Sequence, residues 1–405
     1  MLDSNKPNTK WLDKIITKLK VERANTLSDS EIEHILGPCV ASTELIKLAK
    51  QYRDNEILNI QDIIQSKMKL NKTELQRALE IVKPGLANKE MIEHSTSFAF
   101  IGGRVVTYND EISLSHPVEG LEIEGAIHAE ELYKLLSKLK KDEIEIETEG
   151  NQILLKASSR SNAGMVLQQD IKLPLEEIGD IGKWKSLPED FTRLISFAMS
   201  SCSRDMSKPV LTCVHVSKEG LIEGSDGFRI TRCTMEEGMP VKDFLLPSSS
   251  AAELDKLKPT KIAEGKGWIH FQTAEGTQMS CRIFEDEFPD VSKYLEVEGI
   301  EVTFPRTIVD ALDRASIFSK RDHFLDEHVT VVIADNRVKL KSKSLTGWLE
   351  EEINMKFTDS PISFDITPYL LREILEETLT CVICEDRLKF EGAGWIYVTI
   401  LKSNE

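Results

Sequence analysis

The residue pairs that could support catalysis or metal binding in this chain are few and incomplete. Cys381 and Cys384 form a Cys-x-x-Cys pair of the kind found in zinc and thiol redox sites, but no second pair accompanies them. Residues three apart in a strand face opposite sides, so we interpret both as structural cysteines. A hydrolase with Cys384 as nucleophile is a remote alternative, which loss of turnover on its substitution would reveal.

Two further patterns fall short of a catalytic or cofactor site. His323 and His328 lie among acidic residues and resemble a set of metal ligands, but we interpret this stretch as a solvated surface loop. Gly102-Gly103 lacks the Lys-Ser or Lys-Thr that follows in a phosphate-binding loop, and the glycines around Gly265 precede strand-like residues. The sequence therefore predicts no catalytic residue, no metal site and no cofactor.

Composition indicates a globular protein of several domains. The chain has 405 residues, with 51 Lys and Arg against 68 Asp and Glu, which gives a formal charge of −17. No apolar run is long enough to span a membrane, and seven cysteines without regular spacing fit a reducing compartment, so we expect a cytoplasmic protein. The acidic balance excludes a protein that coats nucleic acid with its whole surface, but it leaves room for a basic patch.

An apolar helical pattern recurs three times at nearly constant spacing. Its leading residues are Leu75, Phe191 and Ile308, which are 116 and 117 positions apart. A second helix follows in each unit, then strands, although in the middle unit the strand is expected only from Trp268 onward. We therefore predict three copies of one α+β domain.

The predicted domain boundaries fall in glycine-containing and charged stretches. We expect a small helical extension at 1–68, followed by domains at 69–184, 185–297 and 298–405. Nothing in the extension itself indicates its role.

Positive charge concentrates opposite the apolar face of the predicted helices. Lys134, Lys138 and Lys141 fall on the side of a helical wheel opposite the leucines of the same segment. The alternative interpretation is an ordinary solvated face, since glutamates share these helices. The residues predicted to face DNA are Arg77, Lys134, Lys138, Lys141, Arg193, Arg204, Lys208, Lys256, Lys258 and Arg314.

The middle unit carries motifs that resemble a known family. They are Lys208-Pro209-Val210-Leu211, Ser225-Asp226-Gly227-Phe228-Arg229-Ile230, and Phe288-Pro289-Asp290 followed by Tyr294-Leu295. Together with the threefold repeat, they resemble the bacterial DNA polymerase III β subunit, the DNA sliding clamp, over about residues 69–402. The extension is atypical, and a phage-encoded clamp or a divergent bacterial paralogue would both fit.

The resemblance implies three tandem DNA-clamp domains, with helices lining a central hole and sheets outside, in a head-to-tail homodimeric ring. The implied role is a non-catalytic processivity factor that encircles double-stranded DNA without sequence preference. The implied partners are DNA polymerase and an ATP-dependent clamp loader, with no membrane association. By resemblance, Ile317 and Phe318 of one subunit would pack near Met165 and Leu167 of the other.

The resemblance also implies a hydrophobic groove that captures short peptide motifs of partner proteins. Its expected lining is Leu211, Ser225, Gly227, Phe228, Arg229, Ile230, Pro289, Lys293, Tyr294, Phe324, Tyr369, Val398, Ile400 and Leu401. The chain departs from the family's usual C-terminal tail, because Ile400-Leu401-Lys402 lacks the usual proline. A second interpretation is a clamp-fold regulatory protein whose extension blocks the groove or the hole, so that it never loads on DNA.

Overall fold

The computed structural model describes residues 67–149, 151–158, 161–322 and 326–402. The chain divides into two compact units, unit 1 and unit 2, and the boundary between them falls between Leu175 and Glu176. The predicted extension lies outside the described residues, except for its last two positions. No helix of the described ranges is both long and apolar enough to cross a membrane.

The described part of unit 1 consists of antiparallel strands and two helices. The strands are β1 (Lys67–Asn71), β2 (Ser97–Ile101), β3 (Arg104–Tyr108), β4 (Ile112–Pro117), β5 (Gly125–His128), β6 (Glu143–Glu149), β7 (Gln152–Ser158) and β8 (Ser161–Val166). The helices are α1 (Lys72–Val82) and α2 (Ala129–Lys138). Hydrogen bonding gives the strand orders β1-β6-β7-β8 and β5-β2-β3-β4.

Unit 2 repeats this arrangement twice. The strands of its first set are β9 (Lys185–Ser186), β10 (Cys213–Val216), β11 (Leu221–Ser225), β12 (Arg229–Thr234), β13 (Phe244–Pro247), β14 (Lys261–Glu264), β15 (Trp268–Gln272) and β16 (Gln278–Arg282). Those of its second set are β17 (Ile300–Thr303), β18 (Val329–Ala334), β19 (Arg337–Lys343), β20 (Trp348–Asn354), β21 (Ile362–Ile366), β22 (Thr380–Ile383), β23 (Arg387–Gly392) and β24 (Trp395–Ile400). Its helices are α3 (Phe191–Met199), α4 (Ser248–Leu257), α5 (Ser292–Leu295), α6 (Ile308–Ile317), α7 (Pro368–Arg372) and α8 (Ile374–Glu377).

The three sets of eight strands have the same connectivity. In each set the first strand pairs with the sixth, which continues to the seventh and eighth, and the fifth pairs with the second, which continues to the third and fourth. A helix follows the first strand and another helical segment follows the fifth. This arrangement confirms the predicted α+β repeat.

The first helix of each set forms for the reason that its sequence pattern indicates. In α1 the buried side chains are Leu75, Ala78, Leu79 and Val82, at the spacing of one helical face. Helices α3 and α6 bury the equivalent residues. Asn71 begins α1, because its side-chain oxygen accepts hydrogen bonds from the amides of the next turn. These three helices are therefore confirmed.

The second helical segments differ from the sequence interpretation in two places. Helix α2 ends at Lys138, so Lys141 lies beyond the helix and not on the face where the wheel placed it. The chain has to turn there because Lys72 N donates to Asp142 O at 2.7 Å and β6 begins at Glu143 to pair with β1. In the middle set, β14 begins at Lys261, earlier than the predicted strand.

Candidate partner groove and nucleic-acid face

Within unit 2, strands β12 and β24 join the two sets into one eight-stranded sheet. Its order is β13-β10-β11-β12-β24-β23-β22-β17, and Ile230 lies opposite Val398 across the joint. Alternation along the strands puts Arg229 and Thr399 on the face covered by helices, and Ile230, Val398 and Ile400 on the other. The predicted groove residues are therefore divided between the two faces of this joint.

The Ser225-to-Arg229 segment is a tight turn between β11 and β12. The Asp226 carboxylate accepts hydrogen bonds at 2.9 Å from the amides of Phe228 and Arg229, and Ser225 Oγ donates to Arg229 O at 2.8 Å. Gly227 occupies the left-handed region with φ of 89°, which favours glycine. The family-like motif thus has a local structural role that holds the start of β12.

Arg229 is the centre of a buried polar network on the helix-covered face. Its guanidinium donates to Asp226 Oδ2 at 3.1 Å, to Glu373 Oε2 at 2.7 Å and to Ser200 O at 2.5 Å. The guanidinium carbon also lies 5.1 Å from the centre of the Tyr369 ring. Burial by itself lowers the pKa of Arg229, but nearby Tyr397 and the two carboxylates raise it on balance. Arg229 is 7% exposed. Through these hydrogen bonds it connects the end of α3, the start of β12 and the start of α8.

The opposite face of the joint presents an apolar strip with a basic rim. Helix α5 packs against β24 and leaves Val398 only 3% exposed, whereas Tyr294 and Ile400 remain open to solvent. Lys293 Nζ lies 4.8 Å from the centre of the Tyr294 ring, and Arg387 donates to Tyr294 O at 3.5 Å. Half-buried Ile230 and exposed Pro289 belong to the same region.

The remaining predicted groove residues lie on or beside the helix-covered face. Leu211 sits on a short 3-10 helix at Pro209–Thr212, and Phe228 and Tyr369 are partly buried against the core of the last strand set. Leu401 belongs to that core, since it is buried and its amide donates to Asp386 O at 2.8 Å. Burial and the Asp226 carboxylate raise the pKa of Tyr369 to about 12. Phe324 lies outside the described residues.

A second network, which the sequence interpretation missed, holds the 288–295 segment on the open face. Phe288 stacks on His215 with 5.2 Å between ring centres, and His215 is 2.8 Å from Glu223 Oε2. Arg232 donates to Glu223 Oε1 at 2.6 Å and to Ser292 Oγ at 2.9 Å. Although burial raises the pKa of Glu223, His215 and Arg232 lower it on balance. The signal in the sequence is that His215, Glu223 and Arg232 are polar residues at alternating positions of adjacent strands, where their side chains point away from the helix-covered face.

Several of the cations predicted to face DNA form ion pairs within the chain. Lys134 pairs with Glu130, Lys256 with Glu253 at 2.9 Å, and Arg314 with Glu351 at 2.6 Å. The exposed cations Arg77 and Arg193 lie on α1 and α3. The others lie at or beyond the ends of helices, namely Lys138, Lys141, Arg204, Lys208 and Lys258.

Helical segments of the last strand set carry more acid than base. The acids of α6 and α8 include Asp310, Asp313 and Glu376, while Arg372 of α7 pairs with Asp313 at 2.8 Å and with Glu376 at 2.7 Å. Positive charge therefore does not predominate on the helical segments of this set. Basic residues of unit 2 concentrate instead after α3 and α4.

The residues predicted at a dimer interface lie beside two open sheet edges. Within the described ranges, β8 and β20 each lack a strand on one side. Ile317 is 63% exposed, and Phe318 and Met165 are half-buried. Leu167 is buried in its own unit, so it offers little surface to a second subunit, while the neighbouring Val166 is 63% exposed and was missed.

The cysteines resemble core residues more than a reactive centre. Cys381 is buried in the core of the last strand set, where burial raises the thiol pKa, and Cys384 donates to Asp386 Oδ1 at 3.2 Å. No disulfide bond joins the cysteines of the described ranges, and no cluster of three metal-ligating residues occurs in those ranges.

Comparison with solved structures identifies the architecture. The chain matches the sliding clamp of Pseudomonas aeruginosa bound to griselimycin with 16% identity and a TM-score of 0.73, over 84% of this chain and 99% of that one. The DNA polymerase III β subunit of Thermotoga maritima matches with 18% identity and a TM-score of 0.71, over 84% and 100%. This chain has the sliding-clamp fold. The β subunit of Streptococcus pyogenes agrees, with 20% identity and a TM-score of 0.72 over 84% and 100%.

No protein-family model matches the sequence, and no curated protein matches it either. The clamp fold is thus recognised from backbone geometry at an identity of 16 to 20%. It accounts for the three equivalent strand sets and for the sheet that runs through the β12–β24 joint.

Proposed function

We propose that this protein is a DNA sliding clamp, a non-catalytic processivity factor that encircles duplex DNA. The observation that carries the proposal is the clamp fold, which spans 99 to 100% of the solved clamps described above. We infer domains at 69–184, 185–297 and 298–405, and a head-to-tail homodimer closed through the open edges. Because encirclement holds DNA topologically, the exposed Lys and Arg near the helix ends need to supply only weak phosphate contacts.

We propose that the open face of the β12–β24 joint is the partner groove for DNA polymerase and an ATP-dependent clamp loader. Ile400 and Tyr294 supply exposed apolar surface, and Lys293 and Arg387 supply positive charge at its rim. Such a surface suits a short peptide with Leu and Phe anchors. Buried Arg229 and Leu401 support the groove from behind instead of contacting the peptide.

Topological retention on DNA tests the proposed function. A clamp loaded on nicked circular DNA should remain bound through gel filtration, and it should be lost when a single cut linearises the circle. Equal loss from circular and linear DNA would contradict encirclement. In a polymerase assay on the same circular DNA, Ile400→Glu should abolish polymerase stimulation but leave the subunit assembly unchanged, with Met91→Glu as an exposed control.

The acidic helices of the last strand set favour one rival function. A clamp-fold regulatory protein that binds partners without loading on DNA would need no basic inner surface. Stimulation of loader-dependent polymerase processivity by the full-length chain would reject this rival. Competition with a polymerase for its own clamp, without retention on circular DNA, would support the rival and contradict the clamp.

A further inference from the structure

The open face of the β12–β24 joint keeps both apolar surface and positive charge available. Tyr294 and Ile400 are 45% and 41% exposed, and Ile230 beside them is half-buried. Lys293 lies against the Tyr294 ring, but the described residues offer its ammonium group no ion pair. This face therefore suits an apolar segment that brings carboxylates of its own.

A larger exposed apolar surface lies elsewhere in unit 2, at Ile317, Leu345 and Trp348. These residues line a cavity beside the start of β20. We infer above that the homodimer closes through this edge, so the cavity is not available to a further segment of the chain. The open face of the joint stays available in the proposed ring.

The chain itself supplies candidate segments in the residues that precede β1, which begins at Lys67. Residues 10–20 combine apolar side chains with four lysines and one aspartate, and residues 44–50 contain two lysines and one glutamate. Residues 29–36 and 54–64 each combine apolar side chains with three acidic residues and contain no lysine or arginine. Charge complementarity to Lys293 therefore selects the two acidic segments.

Reach distinguishes the two acidic segments. The open face belongs to unit 2 and β1 belongs to unit 1, so an occupant has to extend from one unit to the other. The centre of 54–64 precedes β1 by about eight residues, which span at most about 30 Å. Residues 37–66 separate 29–36 from β1, and a tether of that length spans up to about 100 Å. Since a compact unit of this size is about 45 Å across, only the longer tether can pass around one.

We propose that residues 29–36 of each chain occupy the open face of that chain's own β12–β24 joint, so that a partner peptide has to displace them. Ile32, Ile35 and Leu36 supply the apolar anchors, and the neighbouring carboxylates face Lys293. The inference rests on the proposed partner groove and adds its regulation. It differs from the rival function, because the displaced segment leaves a clamp that still loads on DNA.

Weak binding is sufficient for this regulation. Attachment to the same chain raises the local concentration of the segment to the order of 1 mM. A segment whose own dissociation constant is about 0.1 mM then covers most of the faces and lowers the apparent affinity of a competing peptide about tenfold. Partners that bind much more tightly than this displace the segment, and weaker ones do not.

A labelled peptide tests the inference in the full chain. Fluorescence anisotropy would follow binding of a fluorescein-labelled synthetic peptide of residues 27–38. The double variant Ile35→Glu with Leu36→Glu should bind it about tenfold more tightly than wild type, because its own segment no longer competes. The matched control, Ile15→Glu with Ile16→Glu in the basic segment, should bind it as wild type does. Equal affinity in wild type and the first double variant, or no binding to either, would overturn the inference.

A third substitution locates the binding site and separates this inference from the proposed function. Adding Ile400→Glu to the double variant should abolish binding of the labelled peptide, and binding that persists would overturn the inference. Retention on circular DNA does not require the segment, so a failed peptide test leaves the clamp proposal intact. Loss of retention would contradict the clamp and leave the peptide result unchanged.

Two native cysteines provide a proximity measurement. Cys39 follows Leu36 by three residues, and half-buried Cys384 lies in the β22–β23 turn, where Arg387 donates to Tyr294 O. The other cysteines of the described ranges are buried. A short bismaleimide should join Cys39 to Cys384 within one chain, as mass spectrometry of the digested product would show, and replacing either by serine should remove the link. A link between two chains, or none, would overturn the inference.

Discussion

Strands β12 and β24 of the joint hold the same places in their strand sets, fourth and eighth, as the open edges β20 and β8 hold in theirs. In the joint, Val398 is 3% exposed and Arg229 has all its polar contacts inside the chain. At the edges, Val166 and Trp348 are 63% and 69% exposed. The joint therefore shows what the edges lack, which is a strand from another set together with the helix-side contacts that fix it.

Unlike the open edges, the joint is stabilised on both of its faces. A buried polar network around Arg229 supports the helix-covered face, and the Phe288–His215 stack with the Arg232–Ser292 bond supports the open face. The edges have apolar surface and backbone groups available but no equivalent of Arg229. We order the following predictions from the largest expected effect to the smallest, and all but the last disturb the joint or its open face.

Arg229→Ala should have the largest effect on the joint. Removing one partner of a buried ion pair costs about 3–5 kcal/mol, because the Asp226 carboxylate is left without its cation. We expect hydrogen exchange of the β12 and β24 amides to accelerate most in this variant. Arg229→Lys should recover only part of the loss, since lysine lacks the planar fork that reaches several acceptors. Unchanged exchange would show that strand pairing alone holds the joint.

Gly227→Ala should lower the free energy of unfolding by about 1–2 kcal/mol, because alanine is strained by that amount in the left-handed region. An added Cβ at Gly227 meets no atom within 4 Å, so the effect is one of backbone conformation alone. Gly179→Ala is a matched control with φ of 69° and similar open space, away from the joint. Hydrogen exchange at β12 should respond to the first substitution and not to the second.

Arg232→Ala should weaken the open face without opening the joint. We expect roughly tenfold weaker binding of a Leu- and Phe-containing partner peptide, equivalent to loss of about one hydrogen bond to a charged group. Fluorescence anisotropy would measure it, with subunit assembly as the unaffected readout. Equal affinity in the variant would show that this network does not position the groove.

The same network predicts a pH dependence with a defined sign. The folded-state pKa of Glu223 lies below its unfolded value, so its stabilising contribution is present above the unfolded pKa and is lost as pH falls through the folded pKa. Peptide affinity should fall in this acidic range. In Arg232→Ala the fall should begin at higher pH, because the pKa of Glu223 loses a cation that lowers it. An unshifted profile would exclude Glu223 as the titrating group.

The smallest effect is expected from the cations at and just after the end of α2. If Lys138 and Lys141 each contact one phosphate, replacing both by Gln should reduce the slope of log K against log salt by about 1.8. Lys134→Gln should change the slope less, because Glu130 already offsets that charge. Filter binding over a salt series would measure both. Equal slopes in the two variants would contradict the importance of the helix-end cations.

Local patterns were sufficient to predict the helices and several of the strands. The apolar positions of α1, α3 and α6 are buried as their spacing indicates, because a helix with a single apolar face buries that face against the core. The end of α2 and the start of β14 were misplaced, because strand pairing with distant residues decided them. The roles of Arg229 and Leu401 also depended on neighbours far away in the chain.

By itself, the sequence determined the threefold repeat and the α+β class, since one apolar helical pattern recurs along the chain and each helix or strand depends on residue types at short spacing. Tertiary structure alone decided which polar residues are satisfied inside the chain and which surfaces stay open. Ion pairs such as Arg314–Glu351 and the exposure of Val166 arise from strands brought together over long sequence separations. A net charge of −17 could therefore indicate the overall balance, but not where unpaired positive charge remains.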